Sequence, residues 1–256
     1  LCSRKRWKGG IFLQKCGQEQ EKGFQAFTAL IKACIPALVL LILWQLAFLS
    51  GKWSAYVLPG PGKVWSSFLT MLGNGTLFKH ISVSFNRVLT GFSISFLCAF
   101  CLGMLAALKK DLEVYYGPYV EFMRNVPPIS LIALLILWFG IGETSKIIII
   151  VLASFFPMFM NIRKGLLSCD KKLLEVGKTC GLSKTASFFK IRLFWALPDI
   201  LVGMSIGLGY SWRAIIGSEM IAAEKGLGYL ILDAQQMSRS DKVIVEIFVI
   251  GLVGLL

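Results

Sequence analysis

Arg213 and Glu219 are two ionisable residues that close an otherwise apolar run. Charge at such a place in a membrane protein holds a counter-ion, attracts a solute or latches a helix. Nothing beside them forms a catalytic set. The sequence has one histidine, His80, with no cysteine or carboxylate at ligand spacing, so it reads as an interfacial side chain rather than a metal ligand or proton relay. Cys98 and Cys101 make a C-x-x-C inside an apolar run, but no second pair completes a zinc site, and all seven cysteines read as free thiols. Pro59-Gly60-Pro61-Gly62-Lys63 lacks the leading glycine and the terminal Ser/Thr of a phosphate-binding loop. What remains is binding and movement rather than bond making. Two readings of Arg213 and Glu219 stand: they line or gate an outer pathway, with Arg213 attracting an anion, or they pair structurally within an external turn.

The elements that position these residues are apolar helices. Hydrophobic residues make up 56% of the chain and charged residues 16%, against about 45–50% and about 25% in soluble domains. Six candidate spans follow, at 33–50, 88–108, 126–142, 147–162, 193–212 and 243–256, and the fold class is an all-α polytopic membrane protein. The chain opens on Leu1 and stops at Leu256 in mid-run, so it is expected to be trimmed at both ends. The net charge of +13 is a topology signal. Arg4, Lys5, Arg6, Lys8, Lys15, Lys22, Lys32, Lys109, Lys110, Arg124, Arg163, Lys164 and six bases between Asp170 and Ile200 fall on one side. The positive-inside rule makes that side cytoplasmic, with both termini inside. Residues 1–28 read as a basic cytoplasmic segment and 29–256 as one transmembrane domain. Between the first two spans, Val64, Phe68 and Leu72 recur at i, i+4, i+8 and suggest an amphipathic helix on the outer interface.

The basic passage 164–192 and its continuation read as capped helices. Asp170 suits an N-cap for a short helix through Leu173, Leu174 and Glu175 to Cys180, and Gly181 suits its left-handed C-terminus. Ser183 caps a second helix. Leu182, Ala186, Phe189 and Leu193 fall on one face of it, with Lys184, Ser187 and Lys190 opposite. Leu197-Pro198 is expected to break that helix and redirect the chain. Further on, Gly203-x-x-x-Gly207 has the spacing that lets membrane helices approach closely, within one subunit or between two.

This passage resembles the cytoplasmic loop of ABC importer permeases. Glu175, Gly181, Ile191, Leu193 and Pro198 stand at the family's spacings. Val176 and Gly177 replace two alanines, and Phe194 replaces a proline. Gly177 costs about 1 kcal/mol of helix propensity relative to alanine. Leu58-Pro59-x-Pro61, Ser84-x-x-Arg87-Val88-Leu89-x-Gly91-Phe92 and Arg124-x-x-Pro127-Pro128 are similar to the nitrate/sulfonate/taurine group. So are Trp138 to Glu143 with Ser145-Lys146, and Glu219-Met220-Ile221 with Gly226-Leu227-Gly228.

The resemblance implies a type I importer permease of the bacterial inner membrane, about six helices and a cytoplasmic coupling helix. Two permeases would form the pathway, with ATPase subunits binding ATP and Mg inside and a binding protein delivering solute outside. This chain would itself be no enzyme and hold no cofactor or metal. The implied coupling residues are Leu174, Glu175, Val176, Gly177, Gly181, Leu182, Leu197 and Pro198. The implied solute is a sulfonate, taurine, nitrate or similar anion, with a thiamine precursor or other heterocycle as the alternative. A secondary transporter or channel is the competing class, expected to show inverted repeats or paired mid-membrane charges.

Overall fold

The computed structural model describes residues 35–255. The expected basic segment 1–28, together with Cys2, Cys16 and Cys34, lies outside them. Every regular element among the described residues is helical. By contacts the chain divides into two units, 1–65 and 66–256. In the first, the apolar helix α1 (Ile35–Leu49) meets the turn that follows it. Trp44 Nε1 donates to the Pro59 carbonyl at 3.1 Å, and the Phe48 ring lies where a Cβ on Gly60 would come within 3.0 Å.

Helix α2 (Pro61–Gly73) leads into the second unit, which is built around three long helices: α3 (Thr76–Leu108), α6 (Glu143–Leu167) and α9 (Leu193–Ala222). Between them in sequence come α4 (Glu113–Asn125), α5 (Ile132–Phe139), α7 (Lys171–Thr179) and α8 (Lys184–Ser187). Helices α10 (Leu227–Gln236) and α11 (Ser240–Leu255) close the chain. Small residues set the spacing of the three long helices. A Cβ on Gly91 would stand 2.6 Å from Ile150 Cγ2, and on Gly103 2.9 Å from Ile162 Cγ2, so α3 lies hard against α6. Gly203 and Gly207 do the same for α9, where a Cβ would meet Asn161 Cβ at 2.9 Å and Met158 Cγ at 2.5 Å. The G-x-x-x-G is therefore an α6–α9 contact within this chain. Ala99, Met158, Ile162, Leu166, Phe188 and Ala196 fill the core at one end; Val88, Ile132, Ile149, Ile150 and Ile215 fill it nearer the other.

Each of the six apolar runs falls on helix, with corrections. Three helices are long and apolar enough to cross a membrane, and one bent pair passes the same test together. Helix α3 begins at Thr76, so the apolar run 88–108 is lengthened by the semi-polar turns ahead of it, where Leu77, His80, Ser84 and Arg87 turn inward on one face. The expected span 126–142 is the second arm of that bent pair. Helix α4 turns by 90° where Val126 and Pro127 are extended (ψ 118° and 122°), as residues that precede a proline prefer. Pro198 does not break its helix. Residues 184–222 run as one helix, with a π turn at Phe188–Arg192 in which Leu193 N bonds Phe188 O. Burial of Ala196 and Ile200 against the core holds the segment through the proline. The π turn also shifts the inward face, burying Ser187 and Phe188 and leaving Phe189 48% exposed. In α2, Ser67 and Met71 are buried while Leu72 is exposed, because Ser67 Oγ donates to Asp241 at 2.5 Å. The stretch between the runs 193–212 and 243–256 is largely helical, holding the end of α9 and all of α10.

Candidate functional site

Two constructions stand at opposite ends of the long helices. At the end where α6 stops and α9 starts, the loop has the expected caps. The Asp170 carboxylate accepts from Lys172 N at 2.9 Å, and Ser183 Oγ accepts from Ala186 N at 3.2 Å. Between them Gly181 adopts φ +76°. Leu182 N bonds Gly177 O at 3.0 Å, and Gly181 N bonds Lys178 O at 2.9 Å, the paired bonds of a Schellman C-cap. Glu175 and Val176 face outward, Leu174 is half-buried and Gly177 is buried. Gly177 is the contact point with the next segment, since a Cβ there would lie 2.6 Å from Ile191 Cδ1. The departure from alanine thus brings α7 against the π turn that opens α9. A cavity of about 330 Å³ is lined by Leu108, Leu174, Lys178, Leu182, Lys184, Ser187, Phe188 and Arg192, with three cations and no carboxylate. Leu197 and Pro198 are exposed on α9, beyond the π turn.

At the opposite end, four charged groups interlock. Arg87 Nε and Nη2 donate to the two Glu143 oxygens at 2.6 and 2.5 Å. Its Nη1 donates to Glu219 Oε1 at 2.8 Å and to the Lys225 carbonyl at 2.7 Å. Lys146 Nζ donates to Glu143 Oε1 at 3.1 Å. Glu219 is fully buried, and Gly228 N donates to its Oε2 at 3.1 Å. That carboxylate therefore sits at the positive N-terminus of α10 as well as against a guanidinium. Ser84 Oγ lies 2.8 and 2.9 Å from the Glu219 oxygens as donor and accepts from Leu227 N at 3.0 Å. His80 Nδ1 stands 3.1 Å from both the nitrogen and the carbonyl of Gly226, and its ring stacks on Tyr229. Gly226, at φ +128°, leaves no room for a Cβ beside the Glu219 carboxylate. The result is a clasp that joins α3, α6, α9 and α10.

These contacts redistribute the sequence candidates. Glu219 is paired with Arg87, not with Arg213. Arg213 is exposed and its guanidinium lies 5.4 Å from the Tyr210 ring centroid. His80 is a buried strut of the clasp, not an interfacial side chain. Arg87, Glu143 and Lys146 were absent from the candidate residues although each stood in a quoted motif; the signal was the spacing Ser84-x-x-Arg87, two polar residues on one face of an apolar helix.

Residues 99–256 match the family described as binding-protein-dependent transport system inner membrane component. The chain belongs to that family. Among its relatives, a permease protein of Bacillus subtilis (strain 168) assigned to aliphatic sulfonates transport, SsuC, is 36% identical over 220 residues, which is 86% of this chain and 79% of that one. The taurine transport system permease protein TauC of Escherichia coli (strain K12) is 33% identical over 225 residues, 86% of this permease and 82% of the relative. The nitrate import permease protein NrtB of Synechocystis is 29% identical over 235 residues, 88% and 84% of the two chains. The crystal structure of an amino acid ABC transporter with histidines superposes with a TM-score of 0.60 at 17% identity, covering 73% of the permease and 92% of that chain. This likeness concerns the fold alone. The permease is thus a multi-pass membrane subunit of a transport system, built entirely of helices among its described residues.

Proposed function

We propose that this permease forms, with a second copy of itself, the translocation pathway of an ATP-driven importer. The loop 170–192 transmits to it the motion of a separate ATPase that binds ATP and Mg. An extracytoplasmic binding protein delivers the solute, a small oxyanion such as a sulfonate, taurine or nitrate. The names of the relatives support the solute class. One observation carries the coupling role. A short helix with exposed Glu175 and Val176 is closed by a Schellman cap and seated through Gly177 on Ile191 at the root of α9. A push on α7 therefore reaches a 39-residue helix without a flexible joint. The test is ATP hydrolysis by the purified complex in lipid. Solute-loaded binding protein is expected to stimulate wild type and to leave a Glu175→Lys variant near its unstimulated rate; equal stimulation of both would remove the coupling assignment. A panel of taurine, ethanesulfonate, nitrate and a thiamine precursor identifies the solute class.

The orientation follows from the bases and places α7 inside the cell. Two cysteines there differ in reach: Cys180 is exposed and Cys169 is buried, and burial pushes the Cys169 thiol up, leaving less thiolate to react. In single-cysteine variants, a membrane-impermeant maleimide is expected to label Cys180 in inside-out vesicles and not in intact cells. Cys169 should label more slowly than Cys180, because it is buried and holds less thiolate. Labelling of Cys180 from outside would reverse the topology.

A further inference from the structure

Helix α6 has 25 residues, about 37 Å at 1.5 Å per residue, and a pocket opens beside its midpoint. Leu152, Ala153, Phe156 and Pro157 form one wall; Arg124, at the end of α4, and Tyr210, on α9, form the others. The α6–α9 register, Gly203 against Asn161 and Gly207 against Met158, sets Tyr210 at the same height. The pocket holds about 50 Å³, against the roughly 10–15 Å³ that a single water needs. Val126 and Pro128 line it too, so the extended backbone at the 90° break opens here. Non-helical backbone at membrane depth is tolerated where it is buried in protein or lines a water-filled cavity.

The charge of the pocket is cationic. Arg124 Nη2 bonds Glu121 Oε1 at 2.7 Å, and its Nη1 lies 3.7 Å from Met160 Sδ, placing it beside α6 rather than in an end loop as the charge count assumed. Arg213, outside the pocket lining, carries its guanidinium 5.4 Å from the Tyr210 ring centroid, and no ion pair among the described residues includes it. Arg124 and Tyr210 thus line one pocket and Arg213 packs on the Tyr210 ring, with Glu121 the single carboxylate paired to either arginine. A cation left uncompensated at this depth faces water or an anion.

We propose that Arg124, Tyr210 and Arg213 form a transient subsite for the oxyanion head group of the solute, halfway along its path. This rests on the importer reading above. A guanidinium presents paired donors that match two oxygens of a sulfonate or nitrate, and the Tyr210 hydroxyl adds a third donor. Phe156 and Leu152 supply an apolar wall for an organic tail. Glu121 holds Arg124 in place and competes with the solute, so release is not slow. The subsite binds well enough to admit the anion and weakly enough to let it leave.

The experiment uses the complete importer, with ATPase and binding protein, in proteoliposomes. Uptake of taurine, ethanesulfonate and nitrate is measured beside ATP hydrolysis. Arg124→Gln and Arg213→Gln are each expected to lower uptake below saturation about tenfold, the effect of one charge-assisted hydrogen bond, and to raise the ATP spent per solute. Arg124→Lys should fall in between. Uptake unchanged in both glutamine variants overturns the subsite. So does a parallel fall of uptake and hydrolysis, which would assign the arginines to the fold or the gate. A wild type that hydrolyses ATP in response to its binding protein but carries none of the three anions overturns the oxyanion class and leaves the importer reading intact. Failure of the binding protein to stimulate wild-type hydrolysis removes both.

Discussion

Arg87→Met is expected to destabilise the membrane domain by about 3–5 kcal/mol, the range for removing one partner of a buried ion pair. Glu219 is the reason. It is fully buried, and without the guanidinium it keeps only hydrogen bonds from Ser84 and Gly228 against the cost of its charge. Glu143 keeps Lys146 and, being largely exposed, water, so the loss concentrates on Glu219. The measurement is the thermal midpoint of the purified permease, followed by loss of its monodisperse elution peak. The double variant Arg87→Met with Glu219→Gln is the control. It removes the stranded charge while an amide oxygen still accepts from Gly228, so most of the lost stability should return. A double variant no more stable than Arg87→Met would show that the charge pair is not what holds the clasp.

Gly181→Val is expected to lower solute uptake to about a tenth of the wild-type rate or less while leaving membrane insertion intact. A β-branched residue at φ +76° costs of order 1–3 kcal/mol, more than a solvent-exposed single-turn cap withstands. The Leu182–Gly177 and Gly181–Lys178 bonds would open. Helix α7 would then lose its fixed angle to the π turn and, in the coupling role proposed above, pass less motion to α9. Gly181→Asn discriminates geometry from simple intolerance, because asparagine enters the left-handed region readily; uptake in that variant should stay within about twofold of wild type. Equal uptake by all three proteins would detach the elbow from transport.

What the sequence disclosed was what neighbours in the chain decide. Asp170, Gly181 and Ser183 were legible as caps because each bonds within a few residues of itself. The inward face of the following helix was misread at Phe189, since one extra residue in a turn leaves no mark on an apolar pattern. The semi-polar turns ahead of the apolar run 88–108 continue its helix, because His80, Ser84 and Arg87 enter a buried network. The clasp itself was invisible as a unit. Arg87 and Glu219 are 132 positions apart, and the nearer oppositely charged residue, Arg213, was the natural but incorrect partner for Glu219. Pro198 was read by a rule for water-soluble helices; inside a bilayer, neighbouring helices and the scarcity of water keep such a helix continuous.

The clasp carries two positive and two negative groups, Arg87 and Lys146 against Glu143 and Glu219. Moving one elementary charge through the whole membrane field changes the energy by about 2.3 kcal/mol per 100 mV. A rearrangement that carries these four groups together displaces no net charge. The clasp therefore adds no voltage dependence of its own to such a rearrangement, and a change in membrane potential neither tightens nor loosens it as a unit.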